Sequence, residues 1–588
     1  MFRLGYKLIR PISRVRFNST RATPQSTTGP QLFKYFALAT VFSGAGIYLG
    51  QTVFKQQEQQ QQKSPTPDLS TSPLSTLSPP IYATEQEFQI GLSKILNLVG
   101  KEHASFDKDV LHTHNDSFFQ THHPPDPTKQ HPHVVIYPNS TQEVSEVLKI
   151  AHEYRIPVVA SSGLTSVEGQ NIHTRGPYSI SLSFGHMNKI LEFHPEDLDI
   201  VVEPGVGWQD LDDFLRNDPQ GDHLLFGPDP GMGANIAGMV GTSASGTNAF
   251  KYGTMKENVV NLTVVLADGT IIKTKQRPRK SSAGYDMTRL FIGSEGTLGV
   301  ITEITLKLHV RPKFEFVSIA AFETIKDAAA TAQNLISQGI QPNAIEILND
   351  TMMSFVNEFS DSKTRYLEHP TLFMKFGGAS EQAIAEQTKV VEAIAAKNNV
   401  IKFESSHDED MNQELWSARR SGLWSTFEHG AKVLEDPNDV NVWATDIAVP
   451  ISKLSSIISE INQDLIEGGY DNKFSVMGHI GDGNCHFLIL FNSKDHGVVS
   501  QVVDKMVERA LNYEGTSTGE HGVGVGKRKY LPQELGITTV DAMRQIKLAL
   551  DPRRILNPDK IFKIDPNDTL DEQLEGGHIK EIQECRNH

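Results

Sequence analysis

Ser161-Ser162-Gly163-Leu164-Thr165-Ser166-Val167-Glu168-Gly169, Gly231-Met232-Gly233-Ala234-Asn235-Ile236-Ala237-Gly238-Met239-Val240-Gly241-Thr242-Ser243-Ala244-Ser245-Gly246-Thr247 and Gly293-Ser294-Glu295-Gly296-Thr297-Leu298-Gly299 are three stretches of one texture. Each is rich in Gly, Ser and Thr, which offer backbone N–H groups and hydroxyls without side-chain bulk and so suit a pyrophosphate or a flat ring pressed against the main chain. One such stretch reads equally well as a set of turns. Three within about 140 residues point to one large cofactor. A fourth glycine run, Gly522-Val523-Gly524-Val525-Gly526-Lys527, fails the nucleotide motifs. A phosphate loop needs glycine where His521 stands and Ser or Thr where Arg528 stands, and a dinucleotide fingerprint needs a preceding strand and a following acid. NAD and ATP are therefore not expected, nor is a Rossmann fold.

Around the first loop the pattern is strand, helix, strand. Val134-Val135-Ile136-Tyr137 is followed by a Ser140 or Thr141 cap with Glu143 in the first turn, then Val144, Val147, Leu148 and Ala151 at helical spacing, then the strand Ile156–Ala160. Val259–Leu266 and Thr270–Thr274 flank Asp268-Gly269, a hairpin signature, and Ile301, Ile304, Leu306 and Leu308 make a strand with a local slip. From 311 to about 470, Ala- and Gln-rich helices alternate with short strands, which predicts a second α+β domain. No internal repeat is evident.

The chain has 588 residues with 71 acidic and 55 basic side chains, a net charge of −16 that argues against a nucleic-acid partner. Two cysteines exclude both a disulfide framework and a Cys-built metal site. The charge is uneven. Eight basic residues and no acid precede Glu58, leaving −24 on the rest. The Arg-rich, acid-free start reads as a mitochondrial transit peptide over 1–30, or else as a basic arm. Residues 35–54 are uncharged and long enough for one membrane-spanning helix. The Gln-rich and then Ser/Thr/Pro-rich stretch over 55–84 reads as a disordered tether. Together these place an acidic body beside a membrane, expected in the intermembrane space with the anchor in the inner mitochondrial membrane.

Chemistry concentrates near the C-terminus, in Gly478-His479-Ile480-Gly481-Asp482-Gly483-Asn484-Cys485-His486. If Asp482-Gly483 is a two-residue hairpin turn, His479 and His486 face each other across the ladder on one side of the sheet, as two imidazoles converging on a divalent metal would. Two core histidines satisfied by backbone groups would look the same. Cys485 falls on the opposite face. Glu520, in Ser517-Thr518-Gly519-Glu520-His521-Gly522, is the candidate third ligand; His₂Glu with a vacancy is a zinc arrangement that manganese also accepts. An exposed Glu-His loop is the alternative. Asn484, on the turn, is a candidate hydrogen-bond donor to substrate.

The order of the three glycine loops, with Val202-Glu203-Pro204-Gly205-Val206 between the first two and Phe291 to Thr302 closing the domain, resembles the FAD-binding domain of the vanillyl-alcohol oxidase family. The C-terminal motifs resemble its FAD-linked 2-hydroxyacid dehydrogenase branch, and the likeness runs from about 130 to 565. It implies an α+β fold: an FAD-binding domain over 130–310, a substrate or cap domain over 311–475, a metal-binding and catalytic segment over 476–565 closing on the flavin, and an acidic tail over 566–588.

It further implies FAD contacts from Ser162, Gly163, Thr165 and Ser166, from Pro204 and Gly205, and from Gly238, Gly241, Thr242, Ser245, Gly246 and Thr247. Gly253, Glu295, Gly296, Gly299, Val300, Ile301 and Asn557 complete the set. The first loop is less glycine-rich than in relatives and carries no Cys or His placed for a covalent flavin, so non-covalent FAD is expected. In the family, the segment around 520 carries the metal-binding glutamate and the catalytic histidine. That assigns His479, His486 and Glu520 to the metal, with Zn2+ ahead of Mn2+, and His521 to the base. The family's carboxylate-binding arginine matches Arg419, with Arg420 as its neighbour. The implied reaction is oxidation of D-lactate to pyruvate with cytochrome c as electron acceptor. Relatives acting on 2-hydroxyglutarate carry a lysine before the Asp446 strand, and Trp443-Ala444-Thr445-Asp446 has none, which favours a small monocarboxylate. D-2-hydroxyglutarate or glycolate oxidation is the alternative on the same scaffold, and alkyl transfer a remote one.

Overall fold

In the computed structural model, which describes residues 69–574, the strand Val134–Ile136 leads into the helix Thr141–Tyr154 and on to Val158–Ser161. The Ser140 hydroxyl accepts the Glu143 N–H at 3.2 Å, and the helix lays Val144, Val147, Leu148 and Ala151 wholly inside. Val134–Ile136 and Val158–Ser161 flank Ile180–Ser183 in parallel, with the short Ala104–Ser105 antiparallel at one edge. Beside this lies an antiparallel sheet built on the long strand Val300–Val310, which pairs with Asp199–Val202, Leu224–Phe226 and Val259–Val265. The slip expected along that strand is present as two register shifts, at Ile301/Glu303 and Thr305/Leu306. The Asp268-Gly269 hairpin forms as expected.

The FAD-domain core begins well before residue 130. A capping box at Thr84 and Glu87 starts the helix Glu85–Val99, whose Phe88, Leu92 and Ile95 pack with Val144, Val147 and Leu148. The tether over 55–84 needs a similar correction in its described part. The Ser72 N–H donates to the Asp541 carbonyl at 3.0 Å, Arg544 donates to the Ser72 carbonyl at 3.0 Å and Arg554 to the Ser78 carbonyl at 2.7 Å, while Leu77 packs against Leu531 and Phe562. A segment too poor in apolar residues to bury itself is fixed by guanidinium groups on its backbone. The expected transit segment and span lie outside the described residues, among which no helix is long and apolar enough to cross a membrane.

The second domain is an eight-stranded sheet, antiparallel throughout, in the order Val400–Ser406, Phe314–Phe322, Thr371–Gly378, Ala344–Leu348, Phe474–Gly478, Asn484–Phe491, Asn441–Ala444, with Ile447–Ala448 also pairing the sixth strand. The histidine hairpin is therefore part of the cap sheet, so 476 does not begin a separate segment. Its register also differs from expectation. Met477, not His479, pairs with His486, and a single 3-10 turn at Ile480–Asp482 lengthens the connection. A slip of two residues keeps side chains on the same face, so the two histidines still meet.

The last part of the chain returns to the FAD domain. Val158 pairs with Leu556, Asn557 N–H donates to the Val158 carbonyl at 2.8 Å, and the buried Lys547 ammonium is held by Asp551 and by the carbonyls of Thr297 and Leu556. The segment 547–557 is thereby fastened to the FAD domain.

Candidate active site

A cavity of about 610 Å³ opens between the three glycine loops and the cap sheet. From the first loop Ser162, Gly163, Thr165 and Ser166 line it, from the second Gly238, Gly241, Thr242, Gly246 and Thr247, and from the third Glu295, Gly296, Gly299, Val300 and Ile301. A Cβ at Gly238 would meet nothing within 4 Å, and one at Gly241 only the Glu295 Cα at 3.9 Å, so these positions leave room for a ligand rather than for packing. Asn557 closes the wall: its amide donates to the Gln170 and Glu295 carbonyls, while its buried Oδ1 has no partner among the described residues. The size, the loop chemistry and this orphaned acceptor fit FAD.

Five expected contacts lie elsewhere. Pro204 accepts the Ser162 hydroxyl through its carbonyl at 3.0 Å, and Gly205 passes so close to the Phe184 carbonyl that a Cβ would stand 2.2 Å from it. Gly253 sits at φ +80° where a short helix ends. The two glycines serve the chain path, and none of the three residues lines the cavity. The Ser245 hydroxyl donates to Glu520 Oε2 at 2.5 Å, so it supports the candidate metal ligand. Asn484 spends both amide hydrogens on Asp446 Oδ1 at 2.9 Å and the Ile447 carbonyl at 3.1 Å and does not line the cavity, which removes it as a substrate donor.

On the cap side, His479, His486, Glu520, His521 and Arg419 all line the cavity. His479 Nδ1–H donates to Glu346 at 2.7 Å and His486 Nδ1–H to the Thr445 carbonyl at 2.9 Å. Both Nε2 atoms then turn to Glu520 Oε1, at 3.0 and 3.3 Å. Two imidazoles oriented from behind and one carboxylate, with one donor atom from each within 4.8 Å of the others, fit a divalent cation with a position left open. Burial works against charge on His479, but the Glu346 and Glu520 carboxylates flanking it outweigh that and hold its pKa well above the ordinary value. The same field favours a bound cation. Asp446, His486 and His521 form a second close group, but the Asp446 oxygens are already engaged.

Asp446 builds the Glu520-His521 loop. Its Oδ2 accepts the backbone N–H of Glu520, the N–H of His521 and the Thr518 hydroxyl, each at 2.8 Å. Burial would raise its pKa, yet the neighbouring His521, Lys527 and His486 hold it well below the usual carboxylate range. The His521 ring stacks on His486 with centroids 5.1 Å apart, and its buried Nδ1 has no partner among the described residues. Burial lowers the His521 pKa, partly opposed by Asp446.

The glycine run after His521 is explained by close packing on the FAD loops. Val525 N–H donates to the Glu168 carbonyl at 2.9 Å, while Glu295 accepts the N–H groups of Val523 at 2.5 Å and Gly524 at 2.9 Å. Burial pushes the Glu295 carboxyl up to about 7 against those two donors. Gly524 has φ +52°, and a Cβ there would lie 1.9 Å from the Glu168 carbonyl oxygen. Gly524→Ala is expected to lower the unfolding free energy by about 1–3 kcal/mol, checked by denaturant titration of the holoenzyme.

Glu346 and Asp446 carry the geometry without having been expected as site residues. A lone carboxylate in Ala344-Ile345-Glu346-Ile347-Leu348 was the available signal, because a buried charge demands partners.

Residues 132–275 match the family model described as FAD binding domain, and residues 311–561 match FAD linked oxidases, C-terminal domain. The chain is 48% identical over 537 residues to "D-lactate dehydrogenase [cytochrome], mitochondrial" of Kluyveromyces lactis, covering 90% of this chain and 91% of that protein. It is 43% identical over 589 residues to "D-lactate dehydrogenase [cytochrome] 1, mitochondrial" of Saccharomyces cerevisiae, covering 96% and 98%. A more distant relative, at 35% over 74% of this chain and 90% of the other, is glycolate oxidase subunit GlcD of Bacillus subtilis. Among solved structures, p-cresol methylhydroxylase shares the fold at TM-score 0.67 and 16% identity, with 84% of this chain and all of the other covered. With both family models matched in order and the relatives alike over nearly their whole length, the chain belongs to the FAD-linked oxidases of the vanillyl-alcohol oxidase family, in the 2-hydroxyacid dehydrogenase branch expected from its motifs.

Proposed function

We propose that the protein oxidises D-lactate to pyruvate with FAD and a divalent metal and passes the electrons to cytochrome c. The observation that carries this reading is the convergence of His479, His486, Glu520, His521 and Arg419 on one cavity that the three glycine loops also line. The names of the two yeast relatives supply the substrate and the cytochrome acceptor, and support a mitochondrial location.

Bound FAD supplies the acceptor for the hydrogen and electron pair on C2, and a divalent cation on His479, His486 and Glu520, Zn2+ ahead of Mn2+, supplies Lewis acidity toward the hydroxyl. Arg419 binds the substrate carboxylate. Its Nε and Nη2 donate to Glu346, at 2.8 and 2.6 Å, which leaves Nη1 and the second Nη2 hydrogen for an incoming carboxylate. His521, buried and held neutral at physiological pH, takes the hydroxyl proton through a ring nitrogen. Leu423, Met477 and Leu488 give the nearby wall an apolar character suited to a methyl substituent. Membrane attachment through 35–54, with the body in the intermembrane space, belongs to the same reading.

The test is the flavin spectrum of the purified holoenzyme under anaerobic titration. D-lactate is expected to bleach the flavin band, with L-lactate, glycolate and D-2-hydroxyglutarate slower by at least tenfold. A flavin that none of these reduces would sink the reading, and faster reduction by glycolate or D-2-hydroxyglutarate would replace the substrate. Chelation is expected to stop reduction by D-lactate while the flavin stays bound, and re-addition of Zn2+ to restore it. Flavin lost together with the metal would contradict that expectation.

A further inference from the structure

Glu346 lies on the strand Ala344–Leu348, where side chains alternate between two cores. Ile345 and Ile347 enter the larger core of the cap domain, whereas Ala344 and Leu348 share the other face with Leu415, Trp416, Ala418 and Met477. Glu346 has that second face, and its side chain is 0% exposed. A carboxyl group at the edge of such an apolar cluster is tolerated only when its oxygens are fully used. They are: Oε1 takes the His479 Nδ1–H at 2.7 Å, and Oε2 takes Arg419 Nε at 2.8 Å and Nη2 at 2.6 Å.

This one carboxylate therefore touches a ligand of the proposed cation and the group proposed to bind substrate. We propose that Glu346 is the positioning residue that locks His479 in the tautomer whose Nε2 carries a lone pair toward the cation site, and in the same contact sets which edge of Arg419 faces the cavity. The inference rests on the metal-site reading above. A carboxylate can only accept, so the proton on His479 must sit on Nδ1 whenever the ring is neutral, and Nε2 is then free to ligate. His486 reaches the same state through the Thr445 carbonyl, an acceptor that mutation of a side chain cannot remove. Glu346 is thus the replaceable half of the arrangement.

Glu346→Gln is the discriminating variant because it preserves volume. The glutamine carbonyl can still accept from Arg419, but its NH₂ then faces His479 Nδ1 and forces that nitrogen to become an acceptor. The proton moves to Nε2, and the ligand is lost. On the FAD-loaded protein, titration of Zn2+ against a chromophoric chelator is expected to show 10–100-fold weaker binding with flavin stoichiometry unchanged. Equal Zn2+ affinity in wild type and variant would overturn the role of Glu346. Wild type that takes up no Zn2+ would overturn the metal site itself, so the two failures are distinguishable. A second measurement needs no variant. In wild-type protein labelled with 15N-histidine and loaded with Zn2+, His479 is expected to carry its proton on Nδ1, and an unprotonated Nδ1 would overturn the proposal.

Discussion

Replacing His521 with alanine is expected to lower kcat for D-lactate oxidation by about 10²–10⁴-fold, the usual worth of a positioned general base, with FAD and Zn2+ still bound. His521 faces the cavity with Nδ1 unpartnered among the described residues, while the three metal-ligand candidates converge on one another without it. Flavin binding survives because the FAD loops contact this segment through the His521 carbonyl, which accepts from Gln170 Nε2 at 2.9 Å, and through the N–H groups of Val523 and Gly524. None of these uses the imidazole. The pH profile gives a sharper readout. The base must be neutral to act, and burial lowers its pKa, so wild-type kcat/KM should stay level down to a pH below 6.5 and then fall as the ring protonates. His521→Ala should lose that acid limb along with the rate. A variant within tenfold of wild type, or one that keeps the limb, would assign the base elsewhere.

The large-scale plan was legible because it depends on local composition. Glycine loops announce themselves by residue type, and the strand–helix–strand of 134–161 by period and cap, so both were open to reading one residue at a time. The histidine hairpin shows the limit. An Asp-Gly pair suggests a two-residue turn, yet Gly481 and Gly483 extend the bend by a 3-10 turn and shift the register by two. The pairing changed, but the face did not, so the chemistry inferred from it survived. Glu346 and Asp446 were not legible in the same way. Each looks like an ordinary acid in an apolar strand until residues about 70 positions away in sequence arrive as its partners: Arg419 for Glu346, Glu520 and His521 for Asp446. Pro204, Gly205 and Gly253 failed in the opposite direction. They belong to the recognisable pattern for reasons of chain path, and a pattern does not separate a residue that touches a ligand from one that shapes the loop beside it.

Asp446→Asn is expected to reduce kcat about 100-fold and to lower the unfolding free energy by about 1.5–3 kcal/mol, the worth of hydrogen bonds to a charged group. Its Oδ2 gathers three donors from the loop 518–521, and its Oδ1 takes the Asn484 amide. An asparagine keeps one acceptor in place but presents an NH₂ to Asn484. That clash is relieved if the Asn484 amide flips, because its Oδ1 is buried without a partner among the described residues and would accept the new N–H; the flip forfeits the donor now given to the Ile447 carbonyl. The lost charge is more consequential. Lys527 lies 3.7 Å away with Glu168 as its other acid, at 2.9 Å, so neutralising Asp446 draws Lys527 toward the first glycine loop. The two functional side chains should respond unequally. Glu520 retains a second anchor in the Ser245 hydroxyl and the Gly246 N–H, at 2.5 and 3.0 Å, whereas the His521 imidazole has, among the described residues, its stack on His486 and no partner for Nδ1. The variant is therefore expected to lose far more kcat than Zn2+ affinity, the latter changing less than tenfold by chelator competition. A parallel fall in both would mean that Asp446 holds the proposed metal ligand and the proposed base as one unit.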